Sequence, residues 1–311
     1  MLKVGVIIPT YNQSKLLTEA VDSVLAQTFI GYEIIIIDDG STDNTKQIIE
    51  EYLNKHPGKI RYLYQKNNGP AAARNYGIRE ANNADYIAFL DHDDIWLPNK
   101  LEKQINFLKD SPGYVMCYTD AYEFNSDEIT KENKLGKNNR EKMSGIIFEK
   151  LLMGCFIFNS TVLIKRPALE ELGGFDITLI SSQDWDLWLR ISQKYQIGFL
   201  DEVLMGYRRH SMNITNNTEL NLKERHFILD KIIRYADIPK KIRKIANKSH
   251  AKICFQGAEE YISKNNYSKG RSELIKSLKF NYLKIKPYLL LIKTLLPKEL
   301  VLLIKKLWKQ Q

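Results

Sequence analysis

The chain has 311 residues, 44% of them hydrophobic and 27% charged, with 46 Lys+Arg against 37 Asp+Glu for a formal net charge of +9. This length accommodates one large domain with an appendage, or two domains, and the composition can bury a sizeable core, which excludes a disordered, collagen-like or disulfide-scaffold chain. The charge is unevenly placed: residues 231–311 carry twenty Lys+Arg against five Asp+Glu, net +15, whereas residues 1–230 carry twenty-six against thirty-two, net −6.

The N-terminal MLKVGVIIPTYN holds one Lys and an apolar run too short for a signal-peptide h-region, so it reads as a buried strand. Val4 to Ile8, Glu33 to Ile37, Ile60 to Tyr64 and Tyr86 to Leu90 are short runs rich in Val and Ile and predict four strands. Between the first two, Leu16, Leu17, Ala20, Val21, Val24 and Leu25 recur at helical spacing behind Asn12 and Ser14, which have capping side chains. Ile48, Ile49, Tyr52 and Leu53 do the same behind Ser41, with Asp43 in the first turn. Strand and helix alternating at this spacing predict an α/β fold with a mainly parallel sheet covered on both faces, whose ligand sits beyond the carboxyl ends of the strands.

Residues 121–145 are polar and aperiodic and predict a mobile surface loop. Sheet-like and helical segments resume near Ile146 and run to about Tyr207, and after Asn221 the pattern is helical, with NNYSKGR as the turn of a helix pair around Tyr261 to Leu278. This divides the chain into a domain at 1–220 and a basic helical region at 221–311. Cys117, Cys155 and Cys254 are odd in number, far apart and form no CxxC pair, so neither a disulfide framework nor a cysteine-rich zinc site is expected and a reducing compartment is the default. The segment from Pro287 is the most apolar of the chain, but Lys293, Pro297, Lys298 and Glu299 break it well short of the ~20 residues needed to span a bilayer. Leu300, Leu303, Ile304 and Leu307 then lie at helical spacing among Lys305, Lys306, Trp308 and Lys309, the pattern of a helix in a membrane interface or of one packed on the body with a solvated lysine face.

The predicted strand ends carry the chemistry. Strand one ends in Pro9-Thr10-Tyr11-Asn12, strand two in Asp38-Asp39-Gly40-Ser41-Thr42-Asp43, and strand four in Asp91-His92-Asp93-Asp94. Taken singly each reads as a turn or a cap; together they gather carboxylates whose repulsion a cation or hydrogen-bonding ligand must offset. Asp and His without Cys form an oxygen-rich set suited to Mg²⁺ or Mn²⁺ held with substrate phosphates.

The succession VIIPTYN, IIIIDDGSTDNT, GPAAARNYGI, YIAFLDHDDIWLP, GGFD and QDWDLWLR, from about Lys3 to Asn213, resembles the family 2 glycosyltransferases, inverting enzymes of the GT-A fold that use nucleotide sugars. The resemblance implies a GT-A, Rossmann-like sheet flanked by helices, with a C-terminal helical extension. It implies that Pro9, Thr10 and Tyr11 shape the rim around the nucleotide base, that Asp39 accepts a hydrogen bond from the base, and that Arg74 approaches the nucleotide or its phosphates, against the alternative of a solvated arginine on a helix surface. The family's DxD element falls on Asp91 and Asp93. Asp93 is implied as the direct ligand of Mn²⁺ or Mg²⁺, Asp91 as a second ligand or a contact to ribose or sugar, and His92 as a bystander. His210, within YRRH, is implied at the metal or diphosphate, with Arg208 as a helper.

Asp184 is implied as the general base, with Gln183 where the family commonly has Glu. Its physical setting agrees: Leu187, Trp188 and Ile191 follow it at i+3, i+4 and i+7 as an apolar stripe. Asp186 and Arg190 fall i,i+4 as a helix pair, and Trp185 is open to stacking on a sugar or to core packing. The implied partners are a nucleotide-sugar donor, a saccharide or lipid-linked acceptor and a membrane surface, in the cytoplasm or at the inner face of the cytoplasmic membrane, in bacterial surface polysaccharide or glycolipid synthesis. A dehydrogenase or P-loop enzyme is disfavoured because neither GxGxxG nor GxxxxGK[ST] occurs, and nucleic-acid binding because the basic tail interleaves no aromatics in a known module. An inactive nucleotide-sugar-binding scaffold on the same fold is the alternative to an enzyme.

Overall fold

The computed structural model describes residues 2–125, 143–234 and 238–295. They separate into two units, one of residues up to 151 with 155–213, the other of 152–154 with those from 214 onward. In chain order the first unit runs β1 (Val4–Thr10), α1 (Ser14–Leu25), β2 (Tyr32–Asp38), α2 (Thr45–Lys55), β3 (Ile60–Tyr64), α3 (Pro70–Glu80), β4 (Tyr86–Phe89), β5 (Ile95–Trp96), α4 (Lys100–Asp110) and β6 (Tyr114–Asn125). It continues through α5 (Phe148–Leu152), β7 (Leu163–Lys165), α6 (Arg166–Leu172), α7 (Gln183–Lys194) and β8 (Gln196–Arg209).

Among the described residues the strands form one eight-stranded sheet in the order β3-β2-β1-β4-β7-β6-β8-β5. Strands β3, β2, β1 and β4 are mutually parallel and β6 is parallel to β8, while β7 and β5 run against their neighbours. All of β1 and all of β2 but Glu33 are buried, as parallel strands covered on both faces require. Leu17, Ala20, Val21 and Val24 of α1 line one buried face at i, i+3, i+4 and i+7. Helix α3 sits so close to β1 that a Cβ on Gly77 would lie 2.5 Å from Ile7 Cγ2, which is why a glycine interrupts that helix.

Several local expectations are corrected. The N-cap of α1 is Gln13 and makes no side-chain cap bond; Asn12 adopts a left-handed φ of 52° and its Oδ1 accepts from Thr42 N at 2.7 Å, joining the loops after β1 and β2. Asp43 lies just ahead of α2 rather than inside its first turn, and it receives Thr45 N at 3.1 Å and Ser14 N at 3.2 Å. Of the loop expected at 121–145, residues 121–125 continue β6, because Ala121, Tyr122 and Phe124 are buried side chains that pair the strand with β8. Gly145 bridges to Ile197, and residues 126–142 lie outside the described ones.

Lys100, at the start of α4, is wholly buried, its ammonium donating to Gln104 Oε1 at 2.7 Å and lying 3.9 Å from the centre of the Trp96 ring. Burial pushes its pKa down from 10.5 to about 7. The unfolded chain therefore binds the extra proton between those values, so this group's contribution to stability rises with pH from about 7 toward 10 and is lowest below 7. Lys100→Met removes that dependence: relative to the parent, its stability is expected to be about 3 kcal/mol more favourable at pH 6 than at pH 9 in urea unfolding, and an equal difference at both pH values would contradict the assignment.

The second unit comprises α8 (Thr218–Ile233), α9 (Lys240–Ser263), α10 (Tyr267–Phe280) and α11 (Ile285–Leu295), with α9 packed on α8 and α10, and α10 on α11. The expected NNYSKGR turn is shorter than its sequence implied. Asn265 takes φ 60°, Asn266 caps α10 by accepting from Lys269 N at 3.2 Å, and Tyr267 to Arg271 are already helical. Tyr288, Leu289, Ile292 and Leu295 of α11 are exposed. No described helix is long and apolar enough to cross a membrane, and the Leu300 to Lys309 pattern lies outside the described residues.

Candidate active site

The parallel register brings the ends of β1, β2 and β4 to one edge. Asp39 N donates to Thr10 O at 2.9 Å, Leu90 N donates to Ile7 O at 3.1 Å, and His92 Nδ1 lies 3.2 Å from Pro9 O. His92 is thus turned to the backbone of the β1 rim. Tyr11, just past β1, is 46% exposed and so presents an aromatic face, whereas Thr10 is buried.

The two acids after β2 divide their work. Asp38 accepts from Ser41 N at 2.8 Å and Tyr62 Oη at 2.5 Å, fixing its own turn; burial first, then the bond to Asp38, raise the Tyr62 phenol. Asp39, 4% exposed, accepts from Gln65 Nε2 at 2.6 Å, Asn68 N at 2.9 Å and Gly69 N at 2.8 Å. The same carboxylate implied for the base therefore organises the loop leading into α3, with one of about four acceptor positions left.

Arg74 is not a solvated helix arginine: it is buried, ion-paired to Asp91, and its guanidinium lies 5.6 Å from the centre of the Phe175 ring. Asp91 Oδ1 also receives Asn159 Nδ2 at 3.0 Å. Ser160 Oγ accepts from Asp91 N at 3.0 Å and donates to Asp94 Oδ2 at 2.6 Å, clamping both ends of the acidic loop. Burial, reinforced by the charges of Asp93 and Asp91, pushes Asp94 well above the usual carboxylate range.

Asp93 faces the segment after β8. Its Oδ2 lies 3.0 Å from His210 Nε2 and receives Asn213 Nδ2 at 3.2 Å. Burial works to raise the Asp93 carboxyl, but the His210 hydrogen bond and the electrostatic influence of the neighbouring His92 and His210 prevail and hold it below its ordinary value. Asp91, implied as a second metal ligand, does not join this pair; its carboxylate bonds Arg74 and Asn159. Arg208, implied as a helper at the diphosphate, turns inward: it donates to Asp93 O at 2.9 Å and Glu19 Oε2 at 2.5 Å and lies over Phe124. It positions the acidic loop from behind.

Asp184 stands in the first turn of α7, its Oδ1 accepting from Trp185 N at 2.7 Å, where the helix N-terminus favours negative charge. Leu187, Trp188 and Ile191 are buried along the expected stripe. Trp185 belongs to the core, 2% exposed with Nε1 donating to Leu151 O at 2.8 Å, so stacking on a sugar is excluded. Asp186 and Arg190 form the expected pair at 2.8 Å, and Arg190 further donates to Leu172 O at 2.7 Å and Gly174 O at 2.6 Å.

The GGFD turn is the joint between α7 and β4. Gly174 has φ 73°, and a Cβ on it would lie 2.4 Å from Asn75 Oδ1; Asn75 clasps Phe175 through its N at 2.8 Å and its O at 2.8 Å. The Phe175 ring then meets Phe89 at 5.1 Å and Trp188 at 6.3 Å. Trp188 shares its helix face with Asp184, so the Arg74 and Asp91 pair and the first turn of α7 are both set by one aromatic residue. Asn75 lies inside the GPAAARNYGI segment without being singled out there, whereas Asn159, Ser160 and Glu19 have no local sequence signature beyond NST, a polar triplet between apolar residues. Thr10 Oγ1, Arg74 Nε and Asn159 Oδ1 are buried with no hydrogen-bond partner, which leaves polar groups at this edge for a ligand. A cavity of about 470 Å³ lies at the opposite strand ends, around Leu2, Tyr86 and Arg166, away from all these residues.

The chain is 35% identical over 226 residues to an uncharacterized glycosyltransferase of Rickettsia typhi, covering 72% of this chain and 69% of that protein. It is 31% identical over 229 residues to the Escherichia coli UDP-Glc:alpha-D-GlcNAc-diphosphoundecaprenol beta-1,3-glucosyltransferase WfgD, covering 73% of this chain and 85% of that one. Its fold matches the mannosyltransferase PcManGT from Pyrobaculum calidifontis in complex with GDP-Man and Mn²⁺, with TM-score 0.64 and 19% identity over 99% of this chain and 88% of that one. It also matches TarS 1-349 of S. aureus, with TM-score 0.62 and 19% identity over 90% and 81% of the two chains. Residues 5–173 match Glycosyl transferase family 2, and with the mixed, mainly parallel sheet and C-terminal helices described above the chain belongs to that family and has the GT-A fold.

Proposed function

We propose that the chain is an inverting glycosyltransferase that moves a sugar from a nucleotide-diphosphate donor to an acceptor hydroxyl, with Asp184 as general base and Asp93 and His210 as protein ligands of Mn²⁺ or Mg²⁺. The observation that carries this reading is the pairing of Asp93 with His210 beside the Arg74 and Asp91 ion pair, all at the carboxyl edge of β1, β2 and β4. Asp93 Oδ2 and His210 Nε2 are 3.0 Å apart. A carboxylate with one imidazole would suit Mn²⁺, and Asp93 and His210 are the two groups that would hold it there. When bound, the cation supplies charge for the departing diphosphate in place of a general acid.

The chain's own groups do the rest. Tyr11 offers its face to the base, Asp39 accepts from the base edge, and Asp91, oriented by Arg74 and Asn159, contacts ribose or sugar. Asp184 takes the proton from the acceptor hydroxyl as that oxygen attacks the anomeric carbon opposite the leaving group. The fold division is proposed as a catalytic segment at 1–220 and a basic helical one at 221–311. The relative whose name specifies UDP-Glc and a diphosphoundecaprenol acceptor supports a UDP-sugar and a lipid-linked acceptor here. The exposed apolar side of α11, beside Lys284, Lys286 and Lys293, supports peripheral attachment to the inner face of the cytoplasmic membrane, in bacterial surface polysaccharide or glycolipid synthesis.

The test is a panel of UDP-, GDP- and dTDP-sugars assayed with and without Mn²⁺ for hydrolysis and thermal stabilisation. At least one donor is expected to be turned over only with the cation. Stabilisation by a donor without turnover of any would favour the inactive nucleotide-sugar-binding scaffold, and neither with any donor would contradict the transferase reading.

A further inference from the structure

Three helices of the C-terminal unit bring unlike ligand groups together. His226 of α8, Cys254 of α9 and Glu273 of α10 place one ligand atom each within 4.8 Å of one another, the one such group of three among the described residues. Cys254 is wholly buried and its Sγ lies 3.4 Å from His226 Nε2. Glu273 is 8% exposed; its Oε1 receives Lys276 Nζ at 2.7 Å, and its Oε2 is buried with no hydrogen-bond partner. A buried carboxylate oxygen left unpaired costs free energy unless something accepts its lone pairs.

The protons around this cluster fall short of its lone pairs. His226 Nδ1 and His250 Nδ1 are 2.6 Å apart, so a single proton lies between them. His250 Nε2 is buried and makes no hydrogen bond, but it lies 3.3 Å from Asp230 Oδ1, whose charge favours the imidazole proton on that side and leaves His250 Nδ1 as acceptor. His226 then donates from Nδ1, and its Nε2 lone pair is directed at Cys254. Two acceptors, His226 Nε2 and the Glu273 carboxylate, compete for one thiol proton. A histidine whose second nitrogen donates into a further imidazole is held in one orientation, as the support of a metal ligand requires. Phe280 stacks on His250 at 4.5 Å and holds that relay in place.

We propose that His226 Nε2, Cys254 Sγ and Glu273 Oε2 form a zinc site that ties α8, α9 and α10 together. Thiolate with imidazole selects Zn²⁺ over the oxygen-seeking Mg²⁺ and Mn²⁺, so this ion is distinct in kind from the one proposed at Asp93. The 3.4 Å between Cys254 Sγ and His226 Nε2 matches the roughly 3.5 Å expected between S and N ligands on a tetrahedral zinc. As the Zn–S bond forms, the Cys254 S–H bond breaks and its proton leaves to solvent. Thiolate, carboxylate and Zn²⁺ then sum to zero beside the half-exposed Lys276 ammonium on Glu273 Oε1, and water or another donor takes the fourth position.

The experiment uses the full chain, stripped with chelator and titrated with Co²⁺ and then Zn²⁺. One equivalent of Co²⁺ is expected to give a thiolate-to-cobalt charge-transfer band that Zn²⁺ abolishes. The band is retained in Asp93→Asn and lost in Cys254→Ser, and Glu273→Gln, which keeps the thiol, weakens Zn²⁺ binding at least tenfold. Zn²⁺ also raises the unfolding midpoint of the parent by more than that of Glu273→Gln at the same Zn²⁺ concentration. Circular dichroism verifies that each variant is folded, and His226→Gln replaces Cys254→Ser if the latter is not. A Co²⁺ spectrum with no thiolate band, or a band unchanged in Cys254→Ser or His226→Gln, overturns the proposal without touching the transferase reading.

Discussion

Asp184→Asn is expected to lower the rate of sugar transfer by about 10²–10⁴-fold, the usual contribution of a positioned general base, while leaving the fold and donor affinity nearly unchanged. The substitution keeps the volume and the Oδ1 acceptor that receives Trp185 N, so the first turn of α7 is preserved. What it removes is a carboxylate able to take the acceptor proton. The effect belongs in kcat and in acceptor-dependent steps rather than in donor binding, and steady-state kinetics with varied acceptor measures it. Asp186→Asn serves as the contrast. That carboxylate is spent on Arg190, which holds the carbonyls of Leu172 and Gly174, so its loss appears as lower stability.

Asp93→Asn is expected to cost about a thousandfold or more in turnover and to flatten the dependence on Mn²⁺ concentration. The asparagine fits the same space between His210 and Asn213 but carries no charge for a cation. Against burial, the His210 hydrogen bond helps keep the pKa of the parent group below the ordinary range, so it stands as a carboxylate. Activity measured across a Mn²⁺ series separates this loss from that of Asp184→Asn, which should keep the parent's cation response.

The strand ends were legible because buried parallel strands read as unbroken Val and Ile runs, and because polar clusters such as DDGSTD and DHDD directly follow them. Asp184 on α7 was legible for a similar reason, since Leu187, Trp188 and Ile191 mark its inward face. The supports of these residues were not. Ser160 clamps the acidic loop from 66 and 69 residues away, Asn75 clasps Phe175 across 100, and Arg208 reaches Glu19 across 189. Such bonds join side chains to distant partners and leave no periodicity. The turn of Arg208 toward the interior, and the burial of Trp185, were decided by packing that a local pattern does not encode. In the same way His226, Cys254 and Glu273 are spaced too widely for any metal motif, and only the stacking of three helices brings them together. Residues 121–125 were misread as loop because the charged stretch that follows them masked an alternation set by pairing with β8.

Donor binding followed by calorimetry in Mn²⁺, for the parent, Asp93→Asn and Asp184→Asn, tests the division of labour most directly. The parent and Asp184→Asn should bind the nucleotide sugar within about twofold of each other and only weakly without the cation, and Asp93→Asn should bind at least about tenfold more weakly with no response to Mn²⁺, a loss of about 1.4 kcal/mol. Equal, Mn²⁺-dependent donor binding by Asp93→Asn and the parent would contradict the assignment of Asp93 and His210 to the cation.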